Sequence, residues 1–323
     1  MTRPTGGRQM TAMLTRPGWG RARRGAVGLA LVAVTALSAC DREIVLPGER
    51  FAARAPLLEV AEPASQPENV TRAISLPAAE RIGDWGFRGM NTRNRLPHAA
   101  LSANPQPIWT ADIGAGDTRR QRINTDPVAA NGRVFTLDSD MGLMATDLAS
   151  GATVWQVSLI PDFDRGAGIS GGALAVSGGV VYATTNYGEI IALDATNGAI
   201  RWRQRVGAAL GAPTVSNGVL YVMGLDSQAW ALTAETGQIR WTIPAGDVPS
   251  VLTGGAAPAI TDRYVLLPFA TGEIQAVFPG AGVRVWSSFV AGGRLGTAYA
   301  AINDITSDPV VVGNTIYAGN QSG

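Results

Sequence analysis

The residue types that perform most enzyme chemistry are scarce in this chain of 323 residues. It contains one histidine, His98, one cysteine, Cys40, and no lysine, so that all 26 basic residues are arginine. Without an amine of tunable pKa, the chain cannot use Schiff-base, P-loop or Ser-Lys mechanisms. A single cysteine rules out an internal disulfide and a thiolate zinc site, and a single histidine rules out a two-histidine metal site. We therefore expect no catalytic residue and no metal ligand.

Two features could still suggest chemistry, and both have a structural interpretation. Asp138, Asp140 and Gly142 resemble part of a calcium-binding loop, yet the same residue types are favoured in tight turns for backbone reasons. We interpret them as a turn between two strands. His98 closes the run of residues 85–98 ahead of the repeats, and we interpret it as a turn or packing residue rather than a general base.

Five tryptophans recur along the chain at a spacing that indicates repeated structure. The spacings between them are 46, 47, 39 and 45 residues, and the tryptophans are Trp109, Trp155, Trp202, Trp241 and Trp286. A mean of about 44 residues matches one four-stranded blade of a β-propeller. The elements that position any functional residue are therefore expected to be blades.

Four of the five repeats contain the same turn chemistry. Two-residue Asn-Gly, Gly-Gly or Gly-Asn turns separate short β-branched runs, because these residues tolerate the positive φ that a tight hairpin needs. A second glycine precedes four of the five tryptophans, and these glycines are Gly151, Gly198, Gly237 and Gly282. The pattern predicts an all-β fold of four-stranded antiparallel blades with strands A to D, in a propeller domain over residues 83–323.

The segment Ala-Leu-Asp-Ala-Thr-Asn-Gly-Ala-Ile-Arg-Trp at 192–202 resembles the tryptophan-docking motif of the pyrroloquinoline-quinone-like (PQQ-like) propeller repeats. The resemblance covers residues 109–323. It implies an eight-bladed ring in which each tryptophan packs against the glycine turn of the neighbouring blade, so that the five tryptophans and four glycines above are structural. About five blades fit into this chain. We expect an incomplete ring, with Gly323 ending a piece of a longer protein, and a closed five-bladed ring is the alternative.

The N-terminus predicts export and lipid anchoring. Residues 1–39 combine arginines, a short apolar run and Leu-Ser-Ala before Cys40, which is the pattern of a lipoprotein signal peptide. Lipid on Cys40 would anchor the protein and remove the free thiol. Residues 40–82 are rich in proline and predict an extended tether. Asp41 leaves open retention at the inner membrane, in place of the periplasmic face of the outer membrane.

Removal of the signal peptide changes the net charge of the protein. The signal contains six arginines and no acidic residue, so 20 basic residues (26 minus six) remain against 25 acidic ones. A net charge near −5 without a basic cluster argues against nucleic-acid binding.

The PQQ-like repeats occur in two classes of protein. Resemblance to quinoprotein dehydrogenases would imply bound PQQ and Ca²⁺, with a vicinal disulfide that one cysteine cannot form. The chain more closely resembles the BamB-like lipoproteins, because it has a lipobox, a tether and blades with few titratable groups. This resemblance implies a non-catalytic scaffold without cofactor, which binds the POTRA (polypeptide-transport-associated) domains of the barrel-inserting subunit of the outer membrane assembly machinery.

Two loops are candidates for partner binding. Aromatic, aliphatic and arginine side chains are favoured at the centres of protein interfaces. Phe163 and Arg165 occupy one such loop, and Arg294 and Leu295 occupy the other. We expect Phe163 and Leu295 to be apolar anchors and the two arginines to be hydrogen-bond donors to the partner.

Overall fold

Short runs of β-branched and aromatic residues between glycine turns form β-strands throughout the computed structural model, which describes residues 71, 73–163, 169–246, 255–290 and 303–320. One compact unit comprises Ser75–Gly323. Its described strands are, in chain order, β1 (Val128–Ala130), β2 (Arg133–Leu137), β3 (Gly142–Asp147), β4 (Thr153–Ser158), β5 (Gly172–Ser177), β6 (Val180–Thr185), β7 (Glu189–Asp194), β8 (Ile200–Arg205), β9 (Thr214–Ser216), β10 (Val219–Met223), β11 (Gln228–Thr233), β12 (Ile239–Pro244), β13 (Ala259–Ile260), β14 (Val265–Pro268), β15 (Glu273–Val277), β16 (Arg284–Phe289), β17 (Val310–Val312) and β18 (Thr315–Tyr317).

The strands assemble into four consecutive blades and a final hairpin within the described residues. Strands β1 to β4, β5 to β8, β9 to β12 and β13 to β16 each form a four-stranded sheet in sequence order, and β17 pairs with β18. Every pairing between these strands is antiparallel. The prediction of an all-β fold with four-stranded antiparallel blades is therefore confirmed.

Tight turns join the first two strands of the first three blades. Asn131 and Gly132 have φ of 52° and 72°, and Asn217 and Gly218 have φ of 48° and 73°. Two successive positive φ values match the right-handed twist of the flanking strands, so the hairpins close without splaying. The turn chemistry predicted from the sequence is thus present in the fold.

A β-bulge precedes the tryptophan in the last strand of each blade. In the second blade Trp202 lies opposite Ala192, whereas Ile200 lies opposite Leu193, so Arg201 is an extra residue. The other three blades shift register at the same position. Such a bulge bends the strand and re-aims the following side chain. It turns each indole ring toward the next blade over a small, fully buried alanine.

The hydrophobic cores lie between adjacent blades. Phe135 and Leu137 of the first blade share one cluster with Leu174 and Ile191 of the second. Equivalent clusters join the second blade to the third, the third to the fourth, and the fourth to the final hairpin. Burying one such side chain contributes about 1.5–3 kcal/mol. Each blade therefore depends on its neighbours for stability, as in other repeat folds.

Because successive strands of a blade run in opposite directions, the turns of each blade lie at two opposite ends. We call one the B–C end, which contains the turn between the second and third strands of each blade and the connections between blades. We call the other the A–B end, which contains the turn between the first and second strands and the turn between the third and fourth strands. The described part of the chain contains no helix of the length and apolar character needed to span a bilayer.

Candidate interaction surface

Four tryptophans each donate a hydrogen bond to the blade that follows them in the chain, three from the preceding blade and Trp109 from the segment before the first blade. The indole Nε1–H of Trp202, for example, donates to the backbone oxygen of Ala234 in the following blade at 3.1 Å. The other three bonds are 2.9–3.1 Å long and run from Trp109 to Leu148, from Trp155 to Ala195, and from Trp241 to Pro279. Each indole thus reaches a backbone oxygen in the turn between the third and fourth strands of the following blade.

A glycine lies beneath each of these indole rings. Gly237 has φ of +74°, and a Cβ on it would lie 2.6 Å from Cε3 of Trp202. Both the backbone conformation and the lack of space therefore require glycine. The same two conditions hold where a Cβ would meet Trp109, Trp155 and Trp241, at Gly151, Gly198 and Gly282 respectively.

An aromatic side chain from the second strand of the same blade packs beside three of the tryptophans. Ring centroids are 5.8 Å apart for Tyr221 and Trp241 and 6.2 Å apart for Tyr182 and Trp202. Burial raises the pKa of Tyr221 to about 12 because the phenolate is desolvated. These residues stabilise the junctions between blades.

Trp286 of the fourth blade has different surroundings. It lines a groove of about 250 Å³ together with Tyr264, Leu266, Val311 and Ile316. Residues of the fourth blade and of the hairpin of β17 and β18 both line this groove. In the described residues, Trp286 faces this groove rather than a glycine turn.

The calcium-like segment is a turn whose carboxylate is occupied by backbone donors. Asp138 Oδ1 accepts hydrogen bonds from the N–H groups of Asp140 and Gly142, and Asp138 Oδ2 accepts one from Ala115 N–H, at 2.6–2.9 Å. These donors compete with any cation for the carboxylate oxygens. No group of three His, Cys, Asp or Glu side chains that could hold a metal occurs in the described ranges.

An aromatic and cationic cluster lies at the B–C end of the second blade. The guanidinium carbon of Arg205 lies 4.3 Å from the centroid of the Phe163 ring, and Tyr187 meets the same ring edge-on at 6.4 Å. Phe163 remains 56% exposed although it contacts both partners. An exposed ring held by a cation–π contact offers a rigid apolar surface at low entropic cost.

Sequence reasoning found Phe163 but missed Arg205 and Tyr187. Arg205 ends strand β8 and Tyr187 lies in a turn, so both are distant from Phe163 in sequence. The other candidate binding residues, Arg165, Arg294 and Leu295, lie outside the described residues, as does Cys40. His98 is exposed, and its Nδ1 lies 2.7 Å from the backbone oxygen of Pro77.

Comparison with known proteins places the chain in a family. The family model described as outer membrane protein assembly factor BamB matches residues 140–323, which is more than half of the chain. The chain belongs to the BamB family. BamB of Salmonella typhimurium is 34% identical to it over 228 residues, which cover 69% of this chain and 58% of that relative. The chain therefore spans less than two thirds of the length of this curated relative.

Solved structures agree with the BamB fold. The crystal structure of BamB from Moraxella catarrhalis has a TM-score of 0.51 and 23% identity, and covers 63% of this chain and 60% of its own. Quinohemoprotein alcohol dehydrogenase from Comamonas testosteroni has a TM-score of 0.54 and 18% identity, with coverage of 74% and 46%. At these identities the likeness shows the fold alone, which a BamB protein and a dehydrogenase share.

Proposed function

We propose that this protein is a non-catalytic scaffold of the outer membrane protein assembly machinery. The observation that carries the proposal is the match of residues 140–323 to the BamB family model. Relatives named outer membrane protein assembly factor BamB support it. The composition is consistent with it, because the chain has no lysine and one histidine.

The partner under this proposal is the set of POTRA domains of the barrel-inserting subunit. The cluster of Phe163, Tyr187 and Arg205 supplies the contact, because it combines an exposed aromatic ring with a planar cation. Truncation of such an anchor in a protein interface typically costs about 2 kcal/mol or more. Rigid blades behind the cluster keep it in a binding-ready position.

The same proposal includes a lipid anchor on Cys40 at the periplasmic face of the outer membrane. The tether of residues 40–82 would leave the blades free to reach the partner. Separation of the two membranes by density, followed by immunoblotting of wild type and an Asp41→Ser variant, tests the location. Wild type in the inner-membrane fraction would contradict this part of the proposal.

Affinity purification from detergent-solubilised membranes of the source organism tests the function. We expect the intact lipoprotein to retain barrel-assembly subunits, identified by mass spectrometry, and a Phe163→Ala, Arg205→Ala double variant to retain less than a tenth as much. The matched control is Phe278→Ala, which removes a 44% exposed phenylalanine from the opposite, A–B end. Copurified PQQ with dye-linked dehydrogenase activity, and no assembly subunit, would instead establish the quinoprotein alternative.

A further inference from the structure

Residues 84–95, which we call the axial segment, lie along the inner strands of the blades. The first strands of adjacent blades contact one another, as β1 contacts β5, β5 contacts β9, and β13 contacts β17. These strands therefore form the inner wall of the arc of blades. Their inner edges present backbone groups that no strand of their own sheet pairs.

The axial segment pairs with these inner edges in four of the five described repeats. Its backbone oxygens accept hydrogen bonds of 2.6–3.0 Å from the N–H groups of Ala129, Val176, Ile260 and Val311, which belong to the first, second and fourth blades and the final hairpin. The third blade is contacted through the Phe87 side chain, which packs against the cluster shared by the second and third blades. The segment thus crosses the arc from its first blade to its last described strands.

One side chain of the axial segment extends along the axis toward the B–C end. Both terminal branches of the Arg88 guanidinium and its Nε contact neighbours: Nε donates to Asp308 Oδ2 at 2.9 Å, Nη2 pairs with Asp308 Oδ1, and Nη1 donates to the Gly255 backbone oxygen at 3.3 Å. Asp308 Oδ1 also accepts the Ala257 N–H at 2.7 Å. A bidentate arginine–carboxylate pair of this kind is among the stronger and more directional polar contacts in proteins.

The residues around Arg88 come from the start of the inner strand in every described repeat. Asp126, Gly172 and Gly211 line the same small cleft as Arg88, and they precede or begin the inner strands of the first three blades. Gly255 precedes the fourth blade, and Asp308 precedes the final hairpin. Residues at the start of the inner strand of each of the five described repeats therefore either line this cleft or bond directly to Arg88.

We propose that the axial segment is an internal brace that fixes the curvature of the arc of blades and occupies its axis. The ion pair between Arg88 and Asp308 holds this segment in place. Neighbouring blades otherwise contact only each other, so small errors in their angles would accumulate along the arc. A segment bonded to the first and the last repeats removes this freedom. It also fills the axial position from within, which directs partners to the loops and the outer surface.

Amide hydrogen exchange of the full mature protein tests the brace. The reporters are the amides of Ala129, Val176, Ile260 and Val311, because each donates to the axial segment. Arg88→Gln removes the positive charge of the Arg88–Asp308 ion pair. We expect hydrogen exchange at all four amides to accelerate at least tenfold, since the axial segment detaches as one unit. Asp308→Asn should act in the same direction.

Arg93→Gln is the matched control within the same segment. Arg93 pairs with Asp262, whose side chain is 86% exposed, so this pair contributes little. Exchange at the four reporters should stay within twofold of wild type in this variant. Faster exchange confined to the neighbourhood of Ala257 in Arg88→Gln, with Ala129 and Val176 unchanged, would overturn the proposal.

A second measurement tests the brace first in the protein with its wild-type axial segment. Residues 101–107 are exposed, with no strand in them, so a protease recognition site can be placed there in the wild-type protein. After cleavage, we expect the piece that contains the axial segment to coelute with the blades in gel filtration, and the piece to dissociate in the Arg88→Gln variant. Release of the wild-type piece on cleavage would contradict the brace.

Discussion

Substitution of Gly237 by alanine, compared with the same substitution at Gly218, separates two contributions to the loss of stability. One is the strain of a positive φ in an L-residue, and the other is the steric clash with the indole of the neighbouring blade. Gly237 and Gly218 belong to the same blade and have nearly equal φ, +74° and +73°. Nothing lies within 4 Å of a Cβ on Gly218, whereas a Cβ on Gly237 would lie 2.6 Å from Trp202 Cε3. Gly218→Ala therefore reports the backbone cost alone, and Gly237→Ala reports the backbone cost plus the clash.

The expected magnitudes follow from these two geometries. A left-handed conformation costs an L-residue about 1–2 kcal/mol, which is the expected loss for Gly218→Ala. Overpacking adds about 1–3 kcal/mol, so Gly237→Ala should lose about 2–5 kcal/mol. Trp202→Ala should itself cost about 3 kcal/mol, since the ring is half-buried and donates one hydrogen bond. In that background the clash disappears, and Gly237→Ala should cost no more than Gly218→Ala.

Urea unfolding followed by far-ultraviolet circular dichroism measures these differences, because that signal does not depend on tryptophan fluorescence. The double-mutant cycle of Trp202 and Gly237 should give a coupling free energy of about 1–3 kcal/mol. Equal losses for Gly237→Ala and Gly218→Ala, or strict additivity with Trp202→Ala, would refute the reasoning that the indole is wedged onto this turn.

Three further outcomes follow from the polar groups of the blades. Ser150 and its backbone N–H lower the pKa of Asp147, and Arg201 and the Thr196 N–H lower that of Asp194. Both carboxyls therefore stabilise the fold above about pH 4, and this contribution disappears as the pH falls through their lowered pKa values. The melting temperature of wild type should therefore decrease when the pH is lowered below about 4. This decrease should be less steep in the Asp147→Asn, Asp194→Asn double variant. Asp138→Ala should lose about 2–4 kcal/mol in urea unfolding, because three buried or partly buried N–H groups lose their acceptor, and added Ca²⁺ should not raise the melting temperature of wild type. Spectrophotometric titration should show that Tyr221 ionises near pH 12, and this component should be lost in Tyr221→Phe.

The blade unit could be predicted because its signals are local. The Asn131-Gly132 and Asn217-Gly218 pairs carry the positive φ that their residue types allow, and the tryptophan spacing has the length of one blade. The bulge before each tryptophan could not be predicted. Its extra residue is Arg201 in the second blade and Val154 in the first, which share no property that marks an insertion.

Contacts between distant segments were also beyond sequence reasoning. The axial segment bonds to the inner strands through its backbone, and a backbone acceptor such as the Gly86 oxygen requires no particular residue type. Arg88 and Asp308 are separated by 220 residues, so nothing local couples them. In the same way, Phe163 could be proposed as an anchor from its residue type, whereas the cation–π contact with Arg205 depends on how two blades meet.

Direct binding of the purified mature protein to POTRA domains of the same organism tests the central claim that the blades present a binding surface. Isothermal titration calorimetry should detect a saturable complex, and Phe163→Ala should weaken it by at least tenfold, whereas Phe278→Ala should leave the affinity within twofold of wild type. The absence of any complex, or equal weakening by both phenylalanine variants, would contradict the account.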